Sequence, residues 1–154
     1  MEQLQHADPA GGVARVGQRH REIERLGLTN HVRFLGPQPP AVLRDWYHAS
    51  AVTVFPTYHH EGLGRIVIES QAMGTPPVAY ATGGVADGIR DGETGFLVPT
   101  GKVATLTERV ARLLRDRPLR DRMACAGRAF VEGKYSLAAF AGRHEEFYRS
   151  CLRA

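Results

Sequence analysis

Phe55-Pro-Thr-Tyr-His-His-Glu61-Gly-Leu-Gly64-Arg-Ile-Val-Ile-Glu69-Ser-Gln-Ala-Met-Gly74 is the stretch that decides the fold. It continues from Ala51-Val-Thr-Val-Phe55, an apolar, β-branched run closed by Pro56, which predicts a buried parallel strand. Arg65 to Met73 carries Ile66, Val67, Ile68 and Ala72 and is stopped by Gly74-Thr-Pro76, so it predicts a helix. A strand, a glycine-flanked loop and a helix in that order form one unit of an open α/β sheet, whose ligands bind outside the carboxyl ends of the strands. Gly62 and Gly64 allow close backbone approach, and the N–H groups left unpaired at a helix start attract phosphate. Glu61 stands just before the helix. Glu69 stands inside it, roughly 7 Å along the axis from Gly64. A carboxylate beside a phosphate would repel it, so both glutamates are expected to face sugar hydroxyls.

Working outward, Val16 to Leu26 predicts an exposed helix stopped by Gly27, and His31-Val-Arg-Phe-Leu35, closed by Gly36-Pro37, predicts a short strand. Residues 40–50 predict a helix with Val42, Leu43, Trp46 and Tyr47 on its inner face. Pro77-Val-Ala-Tyr80 and Gly95-Phe-Leu-Val98 predict further strands, separated by the turn Thr82-Gly83-Gly84 and a short helix at Val85–Ile89. Helical patterns then cover roughly 102–115, 118–132 and 137–152, with Pro118 opening the second of them. Strands alternating with helices predict an α/β fold with a parallel sheet. Residues 1–12 are expected to form a flexible N-terminal tail and 13–154 a single domain.

Composition bounds the function. The chain has 154 residues, 43% of them apolar and 23% charged, the profile of a globular protein. No apolar run approaches the roughly 20 residues of a membrane span, and the N-terminus does not resemble a secretory signal. Cys125 and Cys151 lie far apart, outside any C-x-x-C pair, and are expected to be reduced thiols of a cytoplasmic protein. The net charge of +4 permits an anionic ligand. The arginine-rich stretch from Glu108 to Arg122 mixes its signs, as in Arg115-Asp-Arg117, and predicts a solvated helical face, not a nucleic-acid surface. Gly95-Phe-Leu-Val-Pro-Thr-Gly-Lys102 is one residue too long for a phosphate-binding P-loop, and Val103 replaces its Ser/Thr. His59-His60-Glu61 offers no third ligand at a suitable spacing, so no metal is expected.

The run Glu61-Gly-Leu-Gly-Arg-Ile-Val-Ile-Glu69 resembles the E-x7-E motif of the retaining glycosyltransferases of GT-B fold. The resemblance extends in order through Asn30–Gly36, Trp46–Pro56, Gly74–Ala79, Thr82-Gly83-Gly84, Asp91–Val98 and the helix after Tyr135-Ser136. It covers the C-terminal, donor-binding domain of that family, truncated at its start, and implies a Rossmann-like, three-layer α/β sandwich with a parallel sheet. It implies transfer of a sugar from a nucleoside diphosphate to an acceptor hydroxyl, with retained anomeric configuration and no metal. It implies that Glu69 holds the ribose hydroxyls and that Glu61 touches the donor sugar as the catalytic-site carboxylate. The backbone at Gly62, Leu63, Gly64 and Arg65 would meet sugar and diphosphate. Gly83 and Gly84 would let the chain pass close to the diphosphate, and the edge at Gly36 would meet the base.

The resemblance also implies what to look for elsewhere. The family's N-terminal, acceptor-binding domain has no counterpart here, nor do the first strands of its C-terminal domain, which carry an Arg and a Lys for the diphosphate. Asp87 stands where the family has Glu. In the family's strand order the missing strands lie between the one expected at 32–35 and the one at 52–55. Their absence leaves unpaired strand edges, so a homo-oligomer or a separate chain supplying the missing part is expected.

Overall fold

A computed structural model describes residues 12–152, with side chains from residue 17 onward. The expected tail at 1–12 therefore lies outside the described residues, except for Gly12, where the first helix begins. The chain divides between Gln38 and Pro39 into two compact units.

The first unit holds helix α1, Gly12–Arg25. Gly27 follows it at φ 69°, and the amide of Leu28 donates back to the Ile23 carbonyl over 2.9 Å. A left-handed residue just past the last turn is the usual glycine stop. His20 stacks on Phe34 with ring centroids 4.1 Å apart. The strand expected at 31–35 does not form: residues 32–36 carry no strand assignment and pair with no ladder. A strand exists only through a partner that takes its N–H and C=O groups, and among the described residues this unit offers one helix and no second strand.

The second unit contains the sheet. Helix α2 spans Pro40–Ala49, strand β1 Thr53–Phe55, helix α3 Arg65–Ala72 and strand β2 Pro77–Tyr80. A 3₁₀ helix at Gly83–Gly88 follows, then strand β3 at Phe96–Val98 and helices α4 (Val103–Arg115), α5 (Arg117–Tyr135) and α6 (Leu137–Cys151). The three described strands are parallel in the order β1-β2-β3, with Val54 opposite Val78 and Val78 opposite Phe96. The expected α/β, Rossmann-like layering is present. Arg117, not Pro118, is the first residue of α5, which leaves the proline within the first turn, where its missing N–H costs nothing.

The alternation of side chains along each strand sorts the core into two halves. Val78, Tyr80, Phe96 and Val98 pack with Leu113, Leu119 and Met123 of α4 and α5. Ala79 packs on the opposite face with Val67 of α3 and with Val85 and Ile89, joined by Phe55 and Leu97. β2 is central and wholly buried. β1 is not the doubly covered strand that its composition predicts. Its one ladder neighbour among the described strands is β2, and Val54 is 39% exposed. α2 differs too: it has no buried residue, and Trp46 is 40% exposed. Within this unit the main packing of α2 is on α3. No helix among the described residues is long and apolar enough to cross a membrane. Both cysteines are free and exposed.

Candidate functional site

Two loops leave the carboxyl ends of adjacent strands and lock together. The first runs from β1 to α3 and contains Glu61, Gly62, Leu63 and Gly64. The second runs from β2 into the 3₁₀ helix and contains Gly83 and Gly84. The amide of Gly84 donates to the carbonyl of Glu61 over 2.8 Å. A Cβ on Gly84 would overlap the Gly62 carbonyl, and one on Gly83, which has φ 51°, would lie 2.6 Å from Nδ1 of His60. Gly64, at φ 62°, faces Val85, whose Cγ2 would be 2.8 Å from a Cβ placed there. Gly83 and Gly84 fit against the backbone of the first loop and Gly64 against the Val85 side chain, so a side chain at any of them would force the loops apart.

Helix α3 starts directly after Gly64, with no side chain capping it and no acidic residue in its first turn. Its first N–H groups thus have no side-chain cap, a setting that favours an anion. Two cavities adjoin this helix. One, about 340 Å³, is lined by Pro40, Leu43, Arg44 and Tyr47 of α2 and by Arg65, Glu69, Ala72 and Met73. The other, about 420 Å³, is lined by Phe55, Glu61, Leu63, Gly64, Arg65 and Ile66. The two glutamates of the E-x7-E run thus open into separate, neighbouring cavities, and Arg65 borders both. All of this lining comes from the second unit. Gly36 belongs to the first unit, where it takes φ 64°.

Glu69 does not stand alone. A guanidinium N–H of Arg65 donates to its Oε1 over 2.8 Å, one helical turn away. Tyr47 lies against the same carboxylate. Burial raises its phenol pKa, and the charge and hydrogen bonding of Glu69 raise it further, while Arg65 opposes them. Tyr47 is held in place from its backbone: the Thr75 hydroxyl donates to its carbonyl over 2.5 Å. Behind the site the buried Gln71 donates through Nε2 to the carbonyls of Val67 and Gly88, each at 2.7 Å, which fastens α3 to the 3₁₀ helix.

Sequence reasoning placed Glu61 through Arg65, Glu69, Gly83 and Gly84 in one region; the structure brings Glu61 through Arg65, Gly83 and Gly84 together after β1 and β2, with Glu69 further along α3 on the cavity beside α2. It missed the wall of the first cavity. Leu43 and Tyr47 had the amphipathic spacing that predicts a core face, and that spacing does not tell a core from the side of a cleft. Asp87, which stands where the family has Glu, is held through its backbone: its carbonyl accepts from Tyr135 Oη over 2.8 Å and Lys134 Nζ over 3.0 Å.

The chain is similar to known proteins over most of its length. A D-inositol 3-phosphate glycosyltransferase of Thermomonospora curvata is 42% identical over 124 residues, covering 77% of this chain and 27% of that protein. The crystal structure of HepE from Anabaena with UDP superposes with a TM-score of 0.84 at 26% identity, covering 92% of this chain and 38% of that one. A sucrose-phosphate synthase from Thermosynechococcus elongatus gives 0.81 at 29% identity, covering 96% and 37%. The chain thus spans about a third of the length of the proteins it matches. Residues 10–130 match the family of glycosyl transferases group 1, and with that match over most of its length, the α/β layering and the paired glutamates, this chain belongs to that family.

Proposed function

We propose that these residues form the donor-binding part of a retaining glycosyltransferase, which transfers a sugar from a nucleoside diphosphate to an acceptor hydroxyl. The observation that carries this reading is the placement of Glu69 and Glu61 in two adjoining cavities at the start of α3. The nucleoside occupies the first cavity, with its ribose hydroxyls on Glu69 and its base toward Leu43. The donor sugar occupies the second, with Glu61 accepting from its hydroxyls. The diphosphate lies between them over the backbone of Gly62, Leu63, Gly64 and Arg65. As the glycosidic bond breaks, charge grows on the diphosphate. The unpaired N–H groups at the start of α3 offset that charge without calling on a metal. The UDP bound to HepE is consistent with a donor of this class.

Relatives about three times as long hold more than a donor site. The reading therefore includes an acceptor-binding part, supplied by further chain, by a second copy or by a separate partner. The single ladder neighbour of β1 supports this, since a parallel strand laid along Thr53–Phe55 would take up its free N–H and C=O groups. Both cysteines are free and exposed, as reduced thiols of a cytoplasmic protein would be. Titration calorimetry with UDP, GDP and ADP on the wild type and on Glu69→Ala tests the site. One nucleotide is expected to bind, and the substitution to weaken it about 10-fold or more. Absence of binding by all three would overturn the reading.

A further inference from the structure

Among the described residues Arg65 is the one cation that borders both cavities: Arg44 lines the first alone and lies 3.5 Å from Asp45, and the second has no other described basic residue in its wall. In this structure the guanidinium of Arg65 is on Glu69, the very carboxylate assigned to ribose. Its side chain is 83% exposed, so no packing fixes it there, and an exposed ion pair one turn apart on a helix is weak and readily exchanged. A ligand that joins a nucleoside in the first cavity to a sugar in the second must carry its diphosphate across the junction where Arg65 stands.

We propose that Arg65 exchanges partners on donor binding, leaving Glu69 for the diphosphate. This rests on the donor-site reading above. In the empty site the guanidinium neutralises Glu69. When ribose hydroxyls donate to that carboxylate, they compete with the guanidinium for its oxygens and ease its release. The diphosphate offers it more negative charge and a bidentate geometry. Arg65 thereby favours a diphosphate-bearing ligand over a bare nucleoside: the nucleoside must displace the arginine and gains nothing from it, whereas the diphosphate recovers it as a contact.

The exchange is tested by calorimetry with uridine and UDP on the wild type, Arg65→Ala and Arg65→Lys, or with guanosine and GDP or adenosine and ADP if one of those diphosphates is the binder. Arg65→Ala is expected to weaken the diphosphate about 10-fold or more while uridine binds as well as before or better. Arg65→Lys is expected to fall between, and the diphosphate affinity of Arg65→Ala to depend less on salt. Equal losses for nucleoside and diphosphate, or no loss for either, would overturn the exchange. If the wild type binds the diphosphate through Glu69 and the ratio is unchanged in Arg65→Ala, the exchange alone falls. If the wild type binds neither ligand, the donor-site reading falls with it.

Discussion

The backbone N–H of Gly84 donates to the carbonyl of Glu61 over 2.8 Å, and this bond ties the loop after β2 to the loop after β1. It fixes where the Glu61 backbone stands without using its carboxylate, which stays available to a ligand. The contact is close because Gly84 has no side chain. A Cβ there would overlap the Gly62 carbonyl and would come within 2.7 Å of the Gly62 carbonyl carbon. Gly84→Ala is therefore expected to separate the loops at a cost on the order of 1–3 kcal/mol, read as a fall in the thermal midpoint of roughly 4–10 °C. Gly62→Ala is the control: nothing lies within 4 Å of a Cβ at that position and its φ is not positive. Thermal unfolding followed by circular dichroism separates the two, and equal midpoints would remove the loop contact as the reason for glycine at 84.

Glu61 and Glu69 are expected to fail differently because they border different cavities. Glu61→Gln keeps shape and removes charge. It is expected to leave UDP affinity near the wild-type value and to weaken UDP-glucose about 10-fold, since hydrogen bonds to a charged group contribute roughly 1.5–3 kcal/mol. Glu69→Gln is expected to weaken both ligands by the same factor, because both carry the ribose. Competition binding with the two ligands on the two variants gives four affinities. A Glu61 variant that loses UDP and UDP-glucose equally would deny it the sugar.

Gln71 is a buried polar side chain that holds the site from behind. Its Nε2 has two carbonyl partners, while its Oε1 is buried without one. Gly127 of α5 leaves room for it, since a Cβ at 127 would lie 3.1 Å from Gln71 Cγ. Gln71→Ala removes both hydrogen bonds, leaves the Gly88 carbonyl buried without its side-chain donor and opens a void between α3 and α5. The expected cost is about 2–3 kcal/mol. Denaturant unfolding measures it, and a change below about 0.5 kcal/mol would show that the two bonds add nothing over solvent.

The elements of the second unit were legible because their signals are local. Periodicity and the Gly74-Thr-Pro76 stop marked α3, and β-branched runs marked β1 and β2. The strand expected at 31–35 was not legible as absent, because whether an alternating run becomes a strand depends on a neighbour that its own residues do not encode. The same reason explains α2: Leu43 and Tyr47 have the spacing of a core face, and only the position of α3 turns that face into a cavity wall. In the site, the E-x7-E spacing gave the two glutamates and their order. It did not give the Arg65–Glu69 pair, although residues four apart on a helix with opposite charge are neighbours by geometry alone. Gln71 carried a comparable signal, four residues after Val67 on the face that enters the core.

Tyr80 ends the buried β2 strand and is 2% exposed, with its ring edge-on to Tyr58 at 5.4 Å between centroids. Burial raises its pKa above the usual tyrosine value, and the neighbouring Tyr58 phenol raises it further. The folded chain therefore holds this proton more tightly than the unfolded chain, in which a tyrosine titrates near about 10. A pKa raised on folding contributes stability that is full below the unfolded value and is lost as pH rises through the folded one. Tyr47, raised by burial and by Glu69, acts in the same direction. Stability is thus expected to hold from pH 8 to about pH 10 and to decline above it. Tyr80→Phe, which keeps the ring and discards the proton, is expected to start from a similar midpoint at pH 8 and to decline less steeply. Thermal midpoints of the two proteins measured in half-unit steps to pH 11 check this. Parallel curves would assign the alkaline loss to other groups, and a Tyr80→Phe curve steeper than the wild type would reverse the sign of the argument.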